Sequence, residues 1–269
     1  MRILKKLGLA LAAATALMGA PATAQSALNE VESNVNKYIN DILSNGVLKV
    51  GTTGDWNPMS VRDPATNKYK GYDIDVMTQL ATDMGVELEF VATDWKTLVN
   101  GVVAGNYHMT GSASISPARL KAAGYSSSYI SVEILPFTTS DKADRFNGWD
   151  SINQADVKVA TTLGTTFEKL VREWFPNAEI VVVEAPARGY QEVLSGRADV
   201  FVTSNIEGST LTSKFPNVGQ VNVDAARAPT PIAMLLPQTD QVWINYVNSW
   251  IELKKTQGFF EKTAEKWGL

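Results

Sequence analysis

Apolar positions along this chain switch between two spacings, and the switches mark out its elements. Val86-Glu-Leu-Glu-Phe-Val91 alternates at period two and predicts a strand. Before it, Lys70-Gly-Tyr-Asp73 opens a stretch with apolar residues at Ile74, Met77, Leu80, Ala81 and Met84, a helical spacing, and Gly85 stands where a left-handed C-terminal cap belongs. Val47 to Val50 reads as a short buried strand, Gly51-Thr-Thr-Gly54 as the loop leaving it, and Thr97 to Ala104 as a second helix stopped by Gly105. Strand–helix alternation of this kind favours a mostly parallel sheet covered by helices, an α/β class.

The same order resumes after Trp149. Strands are predicted at Val157–Ala160, Glu179–Val183 and Asp199–Thr203, with helices at Phe167–Trp174 and Tyr190–Leu194. Leu48-Lys-Val-Gly-Thr-Thr53 and Val157-Lys-Val-Ala-Thr-Thr162 resemble each other, and each opens one of two expected lobes. Between the blocks lie two extended, Pro-containing stretches, Val132–Ser140 and Thr230–Gln238, the natural crossovers of a hinge. An amphipathic helix is expected over 25–45, ending at Asn45-Gly46. A helical tail over Val242–Lys266, with Trp250, Leu253 and Phe260 on its apolar faces, is expected to return to the first lobe. The division implied is a leader at 1–24, a first lobe from 25–137 and 234–269, and a second lobe from 138–233.

The N-terminus changes the picture from fold to location. Arg2, Lys5 and Lys6 precede an apolar run from Leu7 to Met18, and Ala22-Thr23-Ala24 offers small-x-small cleavage ahead of Gln25, the arrangement of a secretory signal peptide. The product is expected in the periplasm, and no later apolar run approaches the ~20 residues of a membrane span, so direct membrane insertion is not expected. There are no cysteines, which removes disulfides, thiolate nucleophiles and thiolate metal sites together. The formal charge of −4 deepens when the three basic leader residues are lost. Nucleic acid and anionic membranes are therefore poor partners, and any bound anion must be caught by local groups.

Gly111-Ser-Ala-Ser-Ile-Ser-Pro-Ala-Arg119 has the parts of such a local trap. An arginine fork takes a carboxylate in two hydrogen bonds, and Ser112, Ser114 and backbone N–H groups can meet the remaining lone pairs. A helix cap followed by a solvated arginine is the competing reading of these residues. Ligands of parallel sheets sit at the carboxyl ends of strands beside helix N-termini, and four loops fall there: Thr52–Met59, Thr93–Thr97, Ser112–Arg119 and Thr161–Thr166. They supply Asp55, Trp56, Trp95, Thr165 and Thr166 as candidates, the tryptophans as flat apolar walls. His108, the one histidine, reads as a packed residue, and Asp73 and Asp75 as first-turn partners of a helix dipole. No metal, nucleotide-loop or serine-nucleophile motif is present, and the sequence implies no cofactor.

On these residues the chain resembles the extracellular solute-binding proteins of family 3, over the length that follows the leader. The motifs are Leu48-Lys-Val-Gly-Thr-Thr53, Gly71-Tyr-Asp-Ile-Asp75, Ser114-Ile-Ser-Pro-Ala-Arg119 and Gly196-Arg-Ala-Asp-Val200. The resemblance implies a two-lobed periplasmic-binding-protein fold with two hinge strands, with Arg119 gripping a carboxylate beside Ser112, Ser114 and the amides near Thr165. It also implies a small carboxylate or amino-acid-like ligand and an ABC permease as partner.

Within the family the chain is similar to the cyclohexadienyl dehydratase branch through Gly51–Pro58, Thr93–Leu98 and Thr203-Ser-Asn-Ile-Glu207. Glu207 falls where that branch keeps a catalytic acid, able to protonate a leaving oxygen in a closed apolar pocket. Two positions depart from the family. Ser204 stands where an Asp receives a ligand's ammonium group, and Thr230-Pro-Ile-Ala233 lacks the basic residue often found in the second crossover.

Overall fold

The computed structural model describes residues 36–269; the expected leader and the start of the helical lead-in lie outside the described residues. The elements follow in chain order. Helix α1 (Lys37–Asn45) leads to β1 (Val47–Thr52), then to the short strands β2 (Asp55–Trp56), β3 (Ser60–Arg62) and β4 (Tyr69–Lys70). Helix α2 (Tyr72–Met84), β5 (Glu87–Ala92), α3 (Leu98–Val103), β6 (Met109–Thr110), β7 (Ser112–Ser114), α4 (Pro117–Leu120) and β8 (Gly124–Tyr125) complete the first block. The long strand β9 (Ile130–Thr139) crosses to β10 (Lys158–Thr162), α5 (Thr166–Trp174), β11 (Glu179–Val183), α6 (Gly189–Leu194), β12 (Val200–Ser204), α7 (Asn205–Lys214) and β13 (Val218–Gln220). A second long strand, β14 (Arg227–Leu236), crosses back to α8 (Gln241–Thr256) and α9 (Phe259–Trp267).

Each block builds the parallel sheet its alternation predicts. In the first, β1 pairs in parallel with β5, Val47 opposite Glu87 through Thr52 opposite Ala92, and with β6 on its other side. In the second, β10 lies in parallel between β11 and β12. The two Lys-Val segments of similar sequence are therefore the central strands of equivalent sheets. The crossovers β9 and β14 pair antiparallel with each other, and the sheet runs β11-β10-β12-β9-β14-β7.

Two main apolar cores flank this ribbon. Leu48, Val50, Met77, Leu80, Trp243, Trp250 and Phe260 are buried in one, and Phe146, Val159, Phe167, Val171, Phe175 and Val200 in the other. Along β9 the allegiance changes between Val132 and Ile134. The fold is the two-lobed α/β architecture with two hinge strands.

The tail differs from expectation in one respect. It is two helices broken at Gln257-Gly258, with Gly258 at φ +67, and the break resets the helical phase. Trp250 and Phe260 are buried, but Leu253 is 54% exposed. The tail docks on the first lobe through Asp75, whose carboxylate accepts from Lys266 Nζ and Trp267 Nε1, both at 2.7 Å.

Candidate functional site

Strands β1, β10 and β12 end at one cleft between the lobes, and the loops leaving them carry polar side chains into it. Three small cavities of about 10, 20 and 10 Å³ run through the cleft, with walls shared at Arg188, Trp56 and Trp95. A wider opening of about 630 Å³ lies outside them, bounded by Trp95, Arg119, Thr165 and Thr230.

Arg119 sits in α4, and the N-cap that starts this helix is Ser116, whose Oγ accepts from Arg119 N. The guanidinium is buried, with the residue 8% exposed. Its Nη1 donates to the Ser114 carbonyl and its Nη2 to the Gly164 carbonyl of the opposite lobe, both at 3.3 Å. Among the described residues no carboxylate lies within ion-pair distance of it. Burial pushes its pKa below the ordinary arginine value, opposed by the neighbouring Tyr125 hydroxyl. Ser114 contributes its carbonyl, which also accepts from Tyr125 Oη at 2.7 Å.

The aromatic walls come from the loops expected to supply them. Trp56 and Trp95 meet edge to face, with ring centroids 6.0 Å apart. Trp95 Nε1 donates to both oxygens of Asp55 at 3.0 Å, which fixes the indole. Across the cleft, Thr165 caps α5 by accepting from Glu168 N at 3.2 Å, and its hydroxyl donates to the Thr162 carbonyl at 2.7 Å. Thr165 and Thr166 therefore line the cleft with the first turn of a helix, where backbone N–H groups lack intrahelical partners. Gly164, at φ +77, lets the chain approach the other lobe so closely that an added Cβ would lie 2.5 Å from Lys96 N.

Glu207 is buried at the start of α7. Its Oε2 accepts from Arg188 Nη2 at 2.7 Å and from the Thr203 hydroxyl. Arg188 Nη1 also stands 3.6 Å from Asp55 Oδ2 of the first lobe, so one arginine joins two acids across the cleft. Burial alone would lower the Arg188 pKa, but the charges of Glu207 and Asp55 and the hydrogen bond to Glu207 outweigh it and hold the pKa above its ordinary value. Sequence reasoning did not single out Arg188. Its signal is positional: it ends the Glu184-Ala-Pro-Ala-Arg188 loop at the carboxyl end of β11, a fifth loop placed like the other four.

Two candidates have hydroxyls committed elsewhere. Ser204 is fully buried and N-caps α7, its Oγ accepting from Glu207 N at 3.2 Å. Ser112 donates to Asp73 Oδ1 at 2.6 Å and lies 2.7 Å from the Tyr129 hydroxyl.

Asp73 is thus more than a dipole partner of α2. It is buried, accepts also from Ser112 N at 3.0 Å and Tyr129 Oη at 3.2 Å, and braces the wall behind Trp56. Burial raises its pKa to about 6, against the lowering effect of those hydrogen bonds. His108 is packed as expected, Nδ1 accepting from Lys49 N and Nε2 facing Asp41, both at 3.0 Å.

Comparison with known proteins agrees with this geometry. Cyclohexadienyl dehydratase of Pseudomonas aeruginosa is 29% identical over 245 residues, covering 91% of this chain and 89% of that protein. The L-cystine-binding protein TcyA of Bacillus subtilis is 25% identical, covering 84% and 82%. Among solved structures, an ancestral amino acid-binding protein described as a precursor of cyclohexadienyl dehydratase superposes with a TM-score of 0.79 at 33% identity, covering 85% of this chain and 98% of that one. The model of the bacterial extracellular solute-binding proteins, family 3, matches residues 48–269, and the chain belongs to that family.

Proposed function

We propose that this protein is an exported solute-binding protein that captures a small carboxylate between its lobes and presents it to an ABC permease. The observation that carries the reading is Arg119, a buried guanidinium in the cleft with no acid partner among the described residues. A buried charge is costly unless something pairs with it, and a ligand carboxylate is the fitting partner. Contacts from both lobes then bias the hinge towards closure. The binding proteins among the relatives support the transport role. The test is calorimetry on the purified protein with a panel of small carboxylates. Arg119→Ala is expected to weaken the best of them by roughly 2–5 kcal/mol; an unchanged Kd would remove the reading.

A second reading, cyclohexadienyl dehydratase activity with Glu207 as general acid, is favoured by the similarity to the Pseudomonas enzyme and by the burial of Glu207 beside the cleft. The contacts of Glu207 weigh against it. Its Oε2 accepts from a guanidinium and from a hydroxyl, whereas an acid must offer a proton. Incubation with prephenate decides between the two: many turnovers to phenylpyruvate, lost in Glu207→Gln, would establish the enzyme, and no turnover leaves the binding protein.

A further inference from the structure

Among the described residues, three buried polar atoms of residues lining the cleft cavities have no hydrogen-bond partner: Trp56 Nε1, Arg188 Nη1 and Thr161 Oγ1. Such atoms are rare in folded proteins and each calls for an explanation. Two of them are obligate donors and the third is a hydroxyl that can donate. The acids nearby are already engaged. Asp55 accepts from Trp95 and faces Arg188, Glu207 accepts from Arg188 and Thr203, and Asp73 accepts from Ser112 and Tyr129.

We propose that Trp56 and Arg188, which wall one cavity with Arg119, form a second subsite that takes a neutral oxygen of the ligand, so that the solute is an apolar-bodied oxo or hydroxy monocarboxylic acid. This rests on the reading of Arg119 as the carboxylate anchor. Arg119 and Arg188 wall the same cavity of about 20 Å³, which places the second oxygen close to the carboxylate, at the 2-position of the acid. An ammonium group there would turn its N–H bonds towards two N–H donors. A second carboxylate would meet a cluster of one arginine and two acids that already carries a formal negative surplus. A carbonyl or hydroxyl oxygen accepts from the Trp56 and Arg188 N–H groups and adds no charge. Trp56, Trp95 and Phe167 then surround the hydrocarbon body.

Calorimetry with two matched series tests this, each varying only the 2-substituent. One comprises 4-methyl-2-oxopentanoate, 2-hydroxy-4-methylpentanoate, leucine and isobutylmalonate; the other comprises phenylpyruvate, phenyllactate, phenylalanine and benzylmalonate. The oxo or hydroxy member is expected to bind at least about tenfold tighter than the amino acid and the diacid of its series, the worth of one hydrogen bond. Trp56→Phe removes the indole N–H together with part of the apolar wall, so it should weaken the oxo or hydroxy member about tenfold more than the acid of the same series with no 2-substituent, 4-methylpentanoate or 3-phenylpropanoate. Tighter or equal binding of an amino acid or diacid overturns the subsite, as does the absence of binding by every oxo and hydroxy acid, or a Trp56→Phe that weakens the substituted and unsubstituted acids equally. Tighter or equal binding of a disfavoured member that is lost in Arg119→Ala would sink the subsite and keep the carboxylate anchor. A preference for oxo acids that survives Arg119→Ala would do the reverse.

Discussion

Arg119 and Arg188 are two arginines of nearly equal burial, 8% and 6% exposed, on opposite walls of one cavity, and their surroundings treat them oppositely. Arg188 has two acids and a pKa held above the ordinary value. Arg119 has two carbonyl oxygens and a pKa pushed below it. The first is a structural charge whose removal or isolation unsettles the fold. The second is a charge with no acid partner among the described residues, the place the proposed ligand carboxylate would fill. Burial of a cation does not by itself tell these roles apart; the inventory of its partners does.

The largest effect should come from isolating the paired arginine. Glu207→Ala leaves Arg188 with Asp55 at 3.6 Å, and chemical denaturation should show a loss of about 3–5 kcal/mol, the usual cost of breaking a buried ion pair. Under the same conditions Arg119→Ala should change the unliganded protein by no more than about 1 kcal/mol, because two hydrogen bonds to carbonyl oxygens are exchanged for relief of a buried charge. Equal losses from the two variants would erase the contrast.

Next in size is the titration of Asp73. Its pKa is raised when folded to about 6 from 3.8, so the stability linked to its proton is fully present below the unfolded value and is lost as the pH rises through about 6. Asp73→Asn cannot ionise. Between pH 4 and pH 7 the stability difference should therefore move in favour of the variant, by at most about 3 kcal/mol. A difference that stays flat with pH would mean that Asp73 titrates normally.

The smallest effect is at the contact between the lobes. Gly164→Ala forces a side chain onto a left-handed residue pressed against Lys96. Affinity should fall about tenfold through impaired closure, at a cost of about 1 kcal/mol to the free protein. Unaltered affinity would place the Gly164 contact outside the bound state.

The α/β order, the two sheets and the crossovers were legible because each rests on local spacing. So were the four loops, since the carboxyl end of a parallel strand is a position that periodicity reveals. What was not legible depends on distant partners. Asp73 looks like any first-turn acid until Ser112 and Tyr129 close over it from 39 and 56 positions away. Ser204 and Ser112 have the composition of ligand contacts, yet one hydroxyl caps a helix and the other braces an acid. Arg188 is a lone arginine in an unpatterned loop, and only the opposing Asp55 and Glu207 give it a role. Leu253 was misplaced for a simpler reason: on α8 it falls outside the stripe of Trp243, Ile244, Val247, Trp250 and Ile251 that faces the core.

The clasp of Lys266 and Trp267 on Asp75 ties the last turn of the chain to one of its first helices, 191 and 192 positions away. For a chain that emerges with its N-terminus leading, the elements from β9 to β13 can pair among themselves as soon as they are out. The β1 sheet must wait for α8 and α9, whose Trp243, Trp250 and Phe260 fill its core. The β1 sheet is thus completed only after the C-terminal helices that fill its core have emerged.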